Sequence, residues 1–382
     1  MMPRVKVRND ARLRLEMERA GIDVLLVFSM ENVLYLSGAL FALQDNLRER
    51  LAAAGFTRDG FDFLVAATNE LSVSGAQAHV EEIRGYVEFR GTATEVIAAL
   101  LREKGLDKAT LGVEKRYLMA AFYEELKAEL PNARFVSGDQ ALETARAIKT
   151  PAQIDRIAHA NRMTELALAK TFAECRPGET EKTAALRLIQ NLYAAGADMV
   201  RHVVFTVGDN AKHAHPFPSD KKRLDPGDII RVDVGGLFDG QGSDIARMGI
   251  VGSPSEAQRA HYRVLLECQR ETAAALTSGT RARDVFNRAV EAYGKRGVDY
   301  RRDHVGHSLS ILGGHDNPLL HPANEMVLEE NMVIALEPIF PDQDGRRYTV
   351  EDIFVVTHDG GLLLTDATDT EAMQPIGAGQ AI

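Results

Sequence analysis

At 382 residues, with 45% hydrophobic and 26% charged residues, the chain has an ordinary soluble composition and enough length for two domains. A net charge of −10 argues against nucleic acid or an anionic membrane as the main partner, and no apolar run reaches the roughly 18 residues of a membrane span. The two cysteines, Cys175 and Cys268, lie far apart and make no disulfide framework; the basic start is followed by no continuous apolar stretch, so the expected compartment is the cytoplasm.

In chain order, residues 9–20 read as a helix capped by Asn9 or Asp10, followed by the strand DVLLVFS and a second helix beginning near Asn32. The charged segment QDNLRERLAAAGFTRDGFD reads as a solvated helix and loop whose arginines, Arg48 and Arg50, are candidates to reach a substrate or a partner subunit. ATEVIAALLREKG is an amphipathic helix ending at Gly105, and TLGVEK a strand after it. Helix and strand thus alternate, as in a mixed or parallel sheet. A boundary falls near ARAIKTPAQIDRI, where Thr150 caps a long helix and Pro151 occupies its first turn. This divides the chain into domains 1–145 and 150–382. A further helix follows Thr180, its cap, and another runs through PSEAQRAHYRVLLECQRETAAAL.

The chemistry-bearing residues lie in the second half. VGDNAKHAHPFPSDKKRLDPGD places His213 and His215 in a turn-rich loop, and seven of the eleven histidines fall between His202 and His315. IIRVDVGGLFDGQGSDIARMGIV has the form of a β-hairpin turning at Asp239-Gly240. That register sets Asp244 opposite Gly235 with Asp233 diagonal to it, a spacing of roughly 7–8 Å at Cα. Downstream, RDHVGHSLSILGGHDNP presents His304, His307 and His315 among glycines. MVIALEPIFPDQDGRRYTVEDIFVVT reads as a hairpin around Gln343-Asp344-Gly345 that sets Glu337 opposite Glu351. Pro338 and Pro341 imply an edge or a bulge there. Any one of these residues has a bland reading: an Asp beside two glycines is more often a turn residue than a ligand. Together, four converging carboxylates repel one another in a folded interior, so their pKa values rise or cations neutralise them. Two divalent ions would balance the charge.

The order and context of these residues resemble the creatinase, prolidase, aminopeptidase P and methionine aminopeptidase family. The matching motifs are Asp233 in VDVG, Asp244 eleven residues on in SDIAR, His307 in GHS, Glu337 in LEP and Glu351 in VED. His215 in NAKHAHPFP and His315 in GHDNP resemble two further family histidines, and RLRLEMERAGIDVLLVFSMENVLYLSGAL resembles the start of the creatinase-type N-terminal domain. The resemblance implies an α/β (α+β) architecture, a creatinase-type domain followed by a pita-bread catalytic domain. It implies two divalent ions, Mn(II) preferred over Co(II), Zn(II) or Fe(II), with Asp233 on one ion, Asp244 and Glu351 bridging, and His307 and Glu337 completing the other. Hydrolysis of an Xaa-Pro peptide by a hydroxide bridging the ions follows, with Glu337 as proton shuttle, His215 and His315 contacting substrate, and a homodimer as the assembly.

This chain departs from the peptidase pattern at Ser308, Asp316, Thr349 and Gln241. The departures leave the ligand set intact and keep a second reading open, a hydrolase or lyase of a small non-peptide metabolite as in creatinase, ectoine hydrolase or the dimethylsulfoniopropionate lyases. A metal-free binding protein is a third reading, which the complete ligand set and the acidic charge oppose. His-Glu-x-x-His, a P-loop, G-x-G-x-x-G and a serine-hydrolase elbow are all absent.

Overall fold

A computed structural model describes residues 4–44 and 46–377, which form two compact units, Met1–Ala152 and Gln153–Ile382. In the first, a six-stranded mixed sheet runs in the order Glu82–Tyr86, Asp62–Ala67, Ala53–Thr57, Val24–Val27, Thr110–Val113, Arg134–Ser137. Helix Asp10–Arg19 starts at Asn9, whose side chain accepts from Arg12 N. Helix Met30–Ser37 begins two residues before Asn32, because Ser29 Oγ accepts from Asn32 N while Glu114 accepts from the backbone of Phe28 and Ser29. Helix Ala93–Glu103 carries a complete capping box between Thr92 and Glu95.

The segment expected to be a solvated helix and loop is corrected. Ala53–Thr57 and Asp62–Ala67 are adjacent, fully buried antiparallel strands. Small side chains decide this: a Cβ on Gly55 would stand 2.1 Å from the Phe63 ring, so the run AAGF lets a neighbouring aromatic fill the space of a missing side chain. Arg48 is exposed, but Arg50 is bound by Glu70 and Glu88 of its own domain at 2.8 and 3.1 Å. Burial pushes the Cys175 and Cys268 thiols up to about 12 and about 11, which suits structural rather than reactive residues.

The second unit is built on two sheets. One has the order Gln374–Ile376, Ile245–Val251, Ile229–Phe238, Met199–Val207. Along Ile229–Phe238 the pleat sends Ile230, Val232 and Val234 into a core shared with Leu168 and Phe172 of helix Pro151–Glu174 and Leu188 and Leu192 of helix Glu181–Ala194. The alternate residues Arg231, Asp233 and Gly235 therefore face the other way. The second sheet has the order His315–Leu319, Gly306–Leu309, Val333–Leu336, Asp352–Val356, Gly361–Leu363.

The two sheets meet at a bridge between Ala246 and Glu351, where Glu351 N donates to Ala246 O at 3.0 Å, and at Gly242 N to Ile311 O, 2.7 Å. Only glycine permits the second contact, since a Cβ on Gly242 would lie 2.1 Å from Leu312 C and Gly313 N. Arg247 ties the same junction. Its guanidinium lies 2.8 Å from Glu165 and 2.9 Å from Asp352, donates to the Glu351 carbonyl at 2.6 Å, and all three side chains are buried. Removing one partner of such a group leaves unpaired buried charges. Arg247→Met is expected to cost about 3–5 kcal/mol in urea unfolding of metal-free protein; a loss under about 1 kcal/mol would contradict this.

Candidate active site

Both hairpins adopt the registers read from the sequence. Phe238 pairs with Gln241 and Ile245 with Val234, so Asp239-Gly240 is a two-residue turn, with φ of 47° and 80°, and the ladder places Asp244 across from Gly235. In the second, Ile339 pairs with Thr349 and Leu336 with Asp352, one continuous register that sets Glu337 against Glu351. Gly345, at φ 84°, closes its three-residue loop in the left-handed region. The ladder opens at the two glutamates themselves. Glu337 N donates to Val305 O, Glu351 N to Ala246 O, and the Gln269 side chain fills the gap by donating to Leu336 O and Val350 O at 3.1 and 2.9 Å. Pro338 falls at this opening, where no ladder hydrogen bond is needed from it.

Asp233, Asp244, His307, Glu337 and Glu351, with His215 and His315, all line one cleft of about 690 Å³. A larger cavity of about 820 Å³ adjoins it across Arg302, Ile339 and Arg347 but contains none of the four carboxylates. Donor atoms of Asp244, His307 and Glu351 lie within 4.8 Å of one another, as do those of His307, His315 and Glu337 and those of His202, Asp233 and Asp244. His307 Nε2 stands 3.6 Å from Glu337 Oε1 and 3.7 Å from Glu351 Oε1. Asp244 is held from behind: its N–H donates to Asn161 Oδ1 at 3.1 Å, and the neighbouring Ser243 hydroxyl bonds Thr164 at 2.7 Å.

Several cleft residues belong to no motif. His202 Nε2 donates to Asp233 Oδ1 at 2.9 Å and lies 3.2 Å from Asp244 Oδ1. Arg302 donates to Glu337 Oε2 at 2.8 Å. Arg231 donates to the carbonyls of His213 and Ala214 at 3.0 and 2.6 Å, holding the loop that carries His215. His304 Nδ1 is 3.6 Å from Glu337 Oε1. His213 is exposed, and His261 stacks on Phe340 away from the cleft. The only sequence signal for His202 was the uneven distribution of histidines, and His304 was also read as presented among glycines beside His307 and His315; Arg302 carried none.

The electrostatics follow from burial. Glu351 is driven well above the usual carboxylate range by desolvation and by the charges of Asp244, Glu337 and Asp233. Asp244 rises to about 6 through burial, with His202 opposing and Asp233 and Glu337 reinforcing. For Asp233, the hydrogen bond and charge of His202 outweigh burial and hold it low. For His202, the two aspartates outweigh burial and raise it to about 10. Burial, reinforced by the charge of His315, lowers His307 to about 3, which leaves a neutral imidazole available as a ligand. Glu337 Oε1 and Glu351 Oε1 are buried without a hydrogen-bond partner. Two orphaned carboxylate oxygens facing a neutral imidazole form the donor set of a cation site, and divalent ions fit it.

The sign of the pH dependence is fixed for metal-free protein. Asp244 titrates near 3.8 ordinarily and near 6 here, so the stability it contributes is full below about pH 4 and lost as pH rises through about 6. Glu351 acts in the same direction above 4.5. The contribution of His202 is full below 6.5 and lost through about 10. Below about pH 6.5 the depressed His307 and His304 oppose this, gaining stability as pH rises. Metal-free protein is therefore expected to show a falling Tm as pH is raised from about 7 to about 9, where Glu351 and His202 decide the slope. Added divalent ions should raise Tm most at the upper end, and a metal-free Tm that climbs over this range contradicts the assignment.

Comparison with known proteins agrees with the geometry. Residues 155–358 match the model of metallopeptidase family M24, and residues 11–148 that of the creatinase/prolidase N-terminal domain. An Xaa-Pro dipeptidase of Pyrococcus furiosus is 31% identical over 260 residues, 67% of this chain and 73% of that one. One of Lactobacillus helveticus is 27% identical over 358 residues, 92% and 95% of the two chains. The crystal structure of the prolidase from Pyrococcus horikoshii superposes with a TM-score of 0.79 at 25% identity, covering 94% of this chain and 97% of that one.

Proposed function

The chain belongs to metallopeptidase family M24 and is a metal-dependent hydrolase, and from that membership we propose an Xaa-Pro peptidase, acting on dipeptides or peptide N-termini. The observation that carries the reading is the convergence of Asp233, Asp244, Glu337, Glu351 and the neutral His307 in one cleft, with two carboxylate oxygens left unpartnered. In this reading residues 1–145 form the creatinase-like domain and 150–382 the catalytic domain. Asp233 would hold one ion, Asp244 and Glu351 would serve both, and His307 and Glu337 would hold the second; Mn(II) would be the preferred metal, with Co(II), Zn(II) or Fe(II) able to replace it.

Bound divalent ions would lower the pKa of a water molecule to near neutrality and polarise the attacked carbonyl. The protein's part is positional. Glu337, one oxygen fixed by Arg302 and the other facing the cleft, is placed to take the proton of the attacking water and deliver it to the leaving amine. In this reading His315 donates to the developing oxyanion and His215 contacts the scissile amide region, both from the lining of the cleft. Both cysteines are free, which suits a reducing cytoplasm, and a homodimer is the proposed assembly, to be read by light scattering.

One observation favours a second reading. The peptidase arginine expected at position 349 is Thr349, buried here, while Arg302 and Arg347 line the cleft. A small, carboxylate-bearing non-peptide metabolite is the substrate class this would admit. A hydrolysis panel with metal-loaded protein, containing X-Pro dipeptides, Pro-second peptides, creatine and ectoine, separates the two. Turnover confined to X-Pro bonds is expected; turnover of creatine or ectoine alone would move the assignment to the metabolite hydrolases.

A further inference from the structure

His202 has no place in the five-residue ligand set, yet the fold takes trouble to seat it. Strand Met199–Val207 breaks register between Val200 and His202, and His202 then pairs with Gly235. A Cβ on Gly235 would lie 2.6 Å from the His202 ring carbon Cε1 and 2.9 Å from Nδ1, so the glycine opposite is what admits the imidazole. The ring brings Nε2 to 2.9 Å from Asp233 Oδ1 and 3.2 Å from Asp244 Oδ1. Neighbouring ligands of an octahedral ion with bonds of about 2.1–2.2 Å stand about 3.0 Å apart, √2 times the bond length. The imidazole nitrogen therefore already has the separation of a cis ligand from each aspartate oxygen, and donor atoms of all three residues lie within 4.8 Å of one another.

We propose that His202 is a sixth protein ligand, binding through Nε2 the ion held by Asp233 and Asp244. The inference rests on the dinuclear reading above and adds a nitrogen donor to the ion that otherwise has only oxygen donors. Each ion then has one imidazole, His202 on the first and His307 on the second. An imidazole at both positions shifts preference from Mn(II) toward Co(II), Zn(II) and Fe(II) relative to a site with oxygen alone.

The test is calorimetric titration of Mn(II) into metal-free wild-type and His202→Asn protein, with a crystal structure of Mn(II)-saturated wild-type protein as the second measurement. Wild-type protein is expected to take up two ions. In His202→Asn one of the two should weaken by about 10-fold or more while the other is unchanged. In the crystal, His202 Nε2 should lie within about 2.4 Å of the ion. Unchanged affinities at both positions, or a nitrogen more than about 3 Å from the ion, would overturn the ligand role and leave the dinuclear reading standing. A wild-type protein that binds no ion overturns both. Should His202→Asn fail to fold, the distance in the wild-type crystal decides alone.

Discussion

Glu351→Ala is expected to abolish hydrolysis, by about 10⁴-fold or more, and to leave the protein with at most one tightly bound ion. The residue sits where the two sheets touch, its backbone bound to Ala246 and its Oε1 buried 3.7 Å from His307 Nε2 without a hydrogen bond. A carboxylate that serves both ions is worth more than a terminal ligand. Losing about 5–6 kcal/mol of charge stabilisation in the transition state corresponds to about 10⁴ in rate. Stability should move the other way. Glu351 is forced well above its usual pKa by burial and by three neighbouring carboxylates, so removing it relieves metal-free protein at neutral pH, whereas a structural glutamate would be missed. Elemental analysis, turnover and a metal-free melt together decide the matter. A variant that keeps both ions and more than about one-tenth of its activity contradicts the assignment.

Both hairpins were legible because their turns announce themselves. Asp239-Gly240 and Gly345 supply backbone conformations that few other residues adopt, and once the turn is placed the pairing of every residue along the strands follows by counting. The pairing of Glu337 with Glu351 survives even though the ladder is open there. The reason for the opening was not legible: it depends on Val305, Ala246 and Gln269, each supplied from elsewhere in the chain. Arg302 and His202 were missed for the same cause. Arg302 acquires its role only when Glu337 is brought beside it, and His202 only when Gly235 leaves a space for its ring. The strand Ala53–Thr57 was hidden differently. Alanines have helical propensity, and the neighbouring charges suggested a solvated face; contact with Phe63 across the sheet overrides both.

The second large effect belongs to a residue that is in the cleft without being assigned a metal. His315 stacks on His307, ring centroids 3.8 Å apart and planes 20° from parallel, and its Nε2 lies 3.9 Å from Glu337 Oε1. Its side chain is nonetheless 60% exposed, so one edge faces the space open to substrate. A donor so placed stabilises the negative charge that builds on the carbonyl oxygen during attack, an interaction absent from the ground state. Loss of one such donor costs about 10²–10³ in turnover. His315→Ala is therefore expected to hold both ions, to keep KM for an X-Pro dipeptide within about threefold, and to lose that factor from kcat. The neighbourhood admits a competing role, since His315, His307 and Glu337 together present donor atoms within 4.8 Å. If His315 were a ligand, His315→Ala would lose metal along with rate, and excess Mn(II) would restore activity. Rate lost at full metal occupancy, with no recovery at any Mn(II) concentration, separates an oxyanion donor from a ligand.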